Sequence, residues 1–317
     1  MTIQISDQET AARLARRPWV TTPIRPELEV SFEFFPPGTS AANNQLDSCI
    51  AELAPLEPSF VSVTYGAGGT TQQRTIGTIE SLAATTDLDI AGHLTCVGAT
   101  TEEVHSVVDS YVASGVRRIV ALRGDAPPGE EDGTVAGGYH TAADLVAGLR
   151  SRHDGDSFDI SVAAYPEIHP KAASAAADLE NLERKFEAGA DRAITQFFFD
   201  TDAFVRWFET VRMAGITAPI VAGIMPVTNF TKLTGFAKRC GTDIPSWMHD
   251  LFGGLDESPE IRRMVAATVA AEQCRLLVEH GVRNFHFYTM NQPELSVAVC
   301  RMLGIKAAEA ESRSLTG

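Results

Sequence analysis

The stretch Val30-Ser31-Phe32-Glu33-Phe34-Phe35-Pro36-Pro37-Gly38 decides the fold. Its first six residues are a near-continuous apolar run, the pattern of a parallel strand buried on both faces. The residues after this run distinguish two parallel architectures. A doubly wound open sheet calls for a glycine fingerprint that opens a helix after the first strand. Here the strand runs into Pro36-Pro37-Gly38 instead. The nearest glycine loop, Gly66-Ala67-Gly68-Gly69, comes after the second strand. It lacks the GxGxxG spacing and an acidic residue about 20 positions on.

Working outward, similar runs recur at Phe60–Val63, Ile90–Leu94, Arg118–Leu122, Asp159–Ala164, Arg192–Gln196, Ile220–Ile224 and Asn284–Tyr288. Segments of helical period lie between them, among them Val104–Ser114, Ala142–Arg152, Ala172–Ala188 and Ile261–Glu279. Gly115, Gly189, Gly215 and Gly281 each stand a few residues before a strand, where a left-handed helix cap belongs. Eight strands alternating with helices predict an α/β chain folded as a single-domain (β/α)8 TIM barrel, a fold of about 250 residues. The barrel is expected over 29–304, after a lead-in of 1–28 and before a tail of 305–317.

The chain has 317 residues, 44% hydrophobic and 21% charged, as in an ordinary folded protein. With 26 basic and 41 acidic residues its formal charge is −15, which argues against a nucleic-acid binder. No apolar run reaches the 18 residues of a membrane span, and the N-terminus lacks the basic start and apolar run of a secretory signal. Cys49, Cys96, Cys240, Cys274 and Cys300 are dispersed and odd in number, the usage of free thiols in a reducing compartment. The expectation is a cytoplasmic protein with no metal site, no membrane partner and no nucleic-acid partner.

Barrel enzymes carry their sites at the C-terminal strand ends. Those positions here are Glu33, Thr64-Tyr65, His93, Thr95, Arg123-Gly124-Asp125, Tyr165 with His169, Gln196, Pro226 and Tyr288. Any one of them reads as easily as a satisfied structural group; their concentration at one level favours a site. Glu33, flanked by phenylalanines, must be paired or carry a raised pKa, and a raised pKa suits a general acid. An arginine partner inside the barrel is the structural alternative. Asp125 offers a carboxylate able to stabilise a cation, or a turn residue paired with Arg123. Asp178, Asn181, Arg184 and Lys185 share one helical face, either a solvated surface or a grip for a polyanionic, hydroxyl-bearing ligand.

Taken in order, Phe32-Glu33-Phe34-Phe35-Pro36-Pro37, Ser62-Val63-Thr64-Tyr65-Gly66, His93-Leu94-Thr95-Cys96 and Ala121-Leu122-Arg123-Gly124-Asp125 resemble one family. Ala164-Tyr165-Pro166-Glu167 with His169, Ile194-Thr195-Gln196-Phe197-Phe198-Phe199-Asp200, Gly223-Ile224-Met225-Pro226 and Phe285-His286-Phe287-Tyr288-Thr289 complete the resemblance. The family is that of the bacterial 5,10-methylenetetrahydrofolate reductases, and the likeness runs from about residue 30 to 304. It implies reduction of methylenetetrahydrofolate to 5-methyltetrahydrofolate by NADH or NADPH through non-covalent FAD, in ping-pong order. The product would feed methionine synthesis, and the protein would be a homo-oligomer, with a tetramer favoured.

The same resemblance implies roles for residues. Glu33 becomes the general acid toward N10, and Asp125 the carboxylate favouring the iminium that results. FAD contacts fall on Tyr65, Ala67, His93, Arg123, Gly124, Asp125, Ala142, Tyr165, His169, Ala172, Asp178, Asn181, Arg184 and Lys185. Thr64, Gln196 and Phe236 match contacts of folate or nicotinamide. Lys232 and Gln292 stand where the family places a glutamine and an arginine on the folate. The segment from Gly129 to His140 is longer and richer in glycine than the family pattern. A flavin-independent folate reductase and a non-catalytic folate-binding protein are the competing readings.

Overall fold

The computed structural model describes residues 27–65, 72–126, 133–152 and 158–307. Eight parallel strands close on themselves in chain order: β1 (Glu29–Phe34), β2 (Phe60–Val63), β3 (Ile90–Thr95), β4 (Arg118–Leu122), β5 (Asp159–Ala164), β6 (Arg192–Thr195), β7 (Ile220–Ile224) and β8 (Asn284–Tyr288). The ring is sealed where Ser31 of β1 pairs with His286 of β8 and Glu33 with Tyr288. Ten α-helices are described between and after the strands: α1 (Ser40–Leu53), α2 (Gln72–Thr85), α3 (Thr101–Ala113), α4 (Ala142–Arg152), α5 (Ala175–Glu187), α6 (Thr201–Met213), α7 (Phe230–Cys240), α8 (Ser246–Phe252), α9 (Pro259–Glu279) and α10 (Pro293–Met302). This is the expected (β/α)8 barrel, with strand ends within one residue of those read from the sequence. None of the described helices is long and apolar enough to cross a membrane.

Short polar caps start the helices where the strands end. Thr39 caps α1, Ser174 caps α5, Asp200 caps α6 and Asn229 caps α7, each accepting a backbone N–H of the first turn. Thr100 and Glu103 form a reciprocal capping box at α3. At the opposite ends Gly115, Gly189, Gly215 and Gly281 have φ of 80°, 109°, 87° and 90°, the left-handed caps expected of them.

Two apolar layers result. Phe32 and Phe34 point out of the barrel wall into the shell beneath the helices and are wholly buried there. Phe60, Ala91, Val120, Ile194 and Val221 form a separate cluster inside the barrel. At the N-terminal end Arg118 and Arg192 lie over the Phe60 ring at 5.4 and 5.9 Å, and both bind Asp159. This plug faces away from the βα loops, at the end of the barrel that serves stability. Of the segment from Gly129 to His140, the described part starts at Gly133 and is tied to the start of α3 and the residues just before it. Gly98 donates to the Gly133 carbonyl at 2.8 Å, and Thr101 to that of Gly137 at 3.0 Å.

Candidate active site

Strand alternation determines what Glu33 meets. Phe32 and Phe34 face outward, so the flanking phenylalanines that the sequence presents are not its surroundings. Glu33 faces the barrel axis, 8% exposed, with its Oε2 atom 3.5 Å from His93 Nε2 and 3.8 Å from His286 Nε2. Ser62 Oγ bridges the two imidazoles at 3.3 and 3.4 Å. The arginine partner considered from the sequence is absent among the described residues: Arg118 and Arg192 bind Asp89 and Asp159 at the far end. Burial pushes the His93 imidazole down to about 4, so it is neutral at pH 7. Thr289 donates to the Glu33 carbonyl at 2.6 Å, and Asn291 holds the Phe35 backbone through two bonds of 2.9 Å. The loop after β8 thus fixes the end of β1.

Above Glu33 opens a cavity of about 250 Å³ whose walls include Thr64, Tyr65, His93, Gln196, Phe236 and Tyr288. Phe236 of α7 stacks on Phe197 with ring centroids 5.5 Å apart. Tyr288 donates to the Thr195 carbonyl at 2.7 Å. A second cavity, of about 570 Å³, adjoins the first along Leu122, Ala163 and Tyr165, which line both. Its walls carry Arg123, Gly124, Asp125, Ala142, His169, Ala172, Asp178, Asn181, Arg184 and Lys185. Every described residue matched to FAD therefore lines one of two adjoining cavities. Ala67 lies outside the described residues. Lys232 and Gln292 are exposed and line neither cavity.

The helix face on α5 departs from a plain solvated surface. Lys185 is only 6% exposed, and its Nζ donates to the Ala163 carbonyl at 2.9 Å. Burial pushes the ammonium down to about 8, against the opposing pull of Asp178. Asp178 accepts the His169 backbone N–H at 2.9 Å, and the His169 ring meets Tyr165 edge-on at 4.5 Å. Ile168, immediately before His169, has φ of +64°, a strained conformation for a β-branched residue. Asp178 thus anchors the loop that carries His169 into the cavity wall. His286 and Lys171 belong to these walls without a role read from the sequence. The signal for His286 was available, since it alternates with Phe285 and Phe287 and so faces the axis as Glu33 does.

A larger cavity, of about 810 Å³, lies between α1 and α2 among residues that precede β2 and β3, such as Pro58 and Asp89. It is at the N-terminal end of the barrel, away from the strand ends that carry chemistry.

The sequence pattern of the methylenetetrahydrofolate reductases matches residues 22–304. The chain belongs to this family. It is 47% identical to the 5,10-methylenetetrahydrofolate reductase of Pectobacterium carotovorum over 283 residues, 89% of this chain and 92% of that one. It is 46% identical to the Escherichia coli reductase over 89% and 93% of the two chains. The Arabidopsis thaliana methylenetetrahydrofolate reductase (NADH) 1 is 34% identical, and the match spans 50% of its length. Membership makes the chain a methylenetetrahydrofolate reductase, an oxidoreductase with a folate substrate. A Clostridium thermocellum protein solved with two copies of 5-methyl-5,6,7,8-tetrahydrofolic acid shares the fold, with a TM-score of 0.60, 16% identity and coverage of 89% and 95%.

Proposed function

We propose that the chain reduces 5,10-methylenetetrahydrofolate to 5-methyltetrahydrofolate with NADH or NADPH, using non-covalently bound FAD. The observation that carries the reading is the pair of adjoining cavities, one floored by Glu33 and the other walled by the polar face of α5. The second cavity suits a dinucleotide in size and donor set. Arg123, Arg184 and Lys185 offer cations to a pyrophosphate, and Asn181 and Asp178 offer partners to ribose hydroxyls. Bound there, FAD would supply hydride transfer between nicotinamide and folate in ping-pong turnovers.

The protein's own residues would do the rest. Glu33 gives its proton to N10 of the folate. The bond between N10 and the bridging methylene breaks, its electron pair stays on N10, and an iminium forms at N5. Asp125 at the mouth stabilises this cation, and hydride added to the methylene carbon completes the methyl group. Phe236 and Gln196 orient folate and nicotinamide in turn above Glu33, and Thr64 contacts the nicotinamide. The methyl product supplies methionine synthesis, and the setting is the cytoplasm.

An absorption spectrum tests the reading. Purified protein reconstituted with FAD is expected to be yellow, to bleach with NADH, and to recolour when methylenetetrahydrofolate is added. Protein that stays colourless with excess FAD yet still oxidises NADH in the presence of the folate would establish direct, flavin-independent reduction instead.

A further inference from the structure

The chain between β4 and α4 carries a tyrosine to which the proposed reaction assigns no task. Tyr139 lines neither of the two adjoining cavities. Its hydroxyl is hydrogen-bonded to His105 Nε2 at 2.8 Å, and His105, on α3, is only 3% exposed. The two rings meet edge-on with centroids 6.0 Å apart. The tyrosine ring also lies against Gly148 of α4, where a Cβ would overlap its hydroxyl oxygen and Cζ. The ring is therefore wedged between two helices, and α4 makes room for it by having no side chain at that turn.

The backbone that follows the wedge leads to the dinucleotide cavity. The carbonyl of His140, next in the chain, accepts the Arg123 Nε–H at 3.1 Å, and Arg123 lines that cavity. A guanidinium is a planar fork, so a bond to its Nε fixes the plane in which it meets a phosphate. Two ties hold the ends of this short stretch. On one side the Gly137 carbonyl accepts the Thr101 N–H at 3.0 Å. On the other, Asp144 accepts both the N–H and the hydroxyl of Thr141 at 2.9 Å. Between them Gly138 admits no side chain, because a Cβ there would overlap the Ala99 carbonyl oxygen, and the His140 side chain is exposed. Tyr139 supplies the packed side chain that seats the His140 carbonyl.

We propose that Tyr139 is a positioning residue for the dinucleotide: wedged between His105 and Gly148, it seats the His140 carbonyl that presets the Arg123 guanidinium for the FAD pyrophosphate. Presetting the fork removes part of the ordering cost of binding and so raises affinity without a contact of its own. The inference rests on Arg123 holding FAD, as the proposed function has it, but its first test needs no cofactor.

Nitrogen-15 NMR of the cofactor-free protein with labelled arginine reads the Nε–H exchange with water, and Arg123→Lys assigns the signal. The Arg123 Nε–H is expected to be protected in the wild-type protein and to exchange at least about tenfold faster in Tyr139→Ala. FAD titrations read by flavin fluorescence then complete a double-mutant cycle. Tyr139→Ala should raise the Kd for FAD about tenfold in the wild-type background and by no more than about twofold in Arg123→Ala, where the residue it acts through is missing. Gly148→Ala puts a methyl where the Tyr139 hydroxyl stood and should weaken FAD in the same Arg123-dependent way, although alanine is the better helix former for α4. Unchanged Arg123 Nε–H exchange in Tyr139→Ala overturns the proposal. So does an equal loss of FAD affinity with and without Arg123, or wild-type affinity in Gly148→Ala. The stated exchange behaviour in a chain that binds no FAD would uphold the seating of Arg123 and overturn its service to FAD along with the flavin reading.

Discussion

Lys185 ties cofactor binding to pH. Its ammonium, pushed down to about 8 by burial, is charged below that pH and neutral above it. A pyrophosphate in the adjoining cavity favours the charged form and raises the pKa, so binding FAD at pH 8 should take up a proton, up to about half an equivalent. Affinity should fall as pH rises through 8. Calorimetry in two buffers of different ionisation enthalpy measures the uptake, which Lys185→Met should abolish. At Glu33 the expected outcome separates the two halves of the reaction. Glu33→Gln retains size and hydrogen bonding but loses the transferable proton, so folate reduction should drop by about 10²-fold or more. Flavin reduction by NADH should stay within about tenfold. Equal impairment of both would make Glu33 a structural carboxylate.

The elements add two tests. On β7, a Cβ at Gly223 would come within 2.1 Å of the Thr195 carbonyl oxygen and 2.7 Å of the Tyr288 ring, and the Gly223 N–H donates to Thr195 Oγ1 at 2.9 Å. Gly223→Ala therefore forces β7 away from β6 and should cost about 2 kcal/mol or more. Thermal unfolding should show a midpoint lower by about 3 °C or more. On α5, neighbouring cations should behave differently because one is exposed and the other buried. Arg184→Glu should weaken FAD at least about tenfold while leaving stability within about 0.5 kcal/mol. Lys185→Glu buries a carboxylate on the helix that carries Asp178 and should lower the melting temperature as well. Sequence periodicity alone places the two on one face and makes them look interchangeable.

At the scale of the whole molecule, the proposed homo-tetramer finds support in large apolar side chains left exposed on two successive helices. These are Trp247 and Leu251 on α8, and Ile261 and Met264 on α9. Sedimentation velocity at micromolar protein should give a tetramer, with FAD lost progressively on dilution, since mass action links assembly to ligand retention. A monomer that keeps its FAD at low concentration would overturn this.

The barrel was legible because its rules are local. Apolar strand runs, polar caps and glycine stops are each set by a few adjacent residues, and Pro36-Pro37-Gly38 after β1 was enough to turn aside the open sheet. The strand-end positions of Glu33, His93, Tyr165 and Gln196 came with the choice of the barrel. The sequence could not by itself say which side chains Glu33 would meet. Chain neighbours Phe32 and Phe34 suggested an apolar setting, yet the pleat turns them outward. Closing the ring brings His286 and Ser62 to Glu33 from 253 and 29 residues away. Burial of Lys185, exposure of Lys232 and Gln292, and the wall of Leu122, Ala163 and Tyr165 shared by the two cavities were likewise decided by tertiary structure. Each depends on which strands become neighbours when the barrel closes, and that is a property of the whole circuit of the chain.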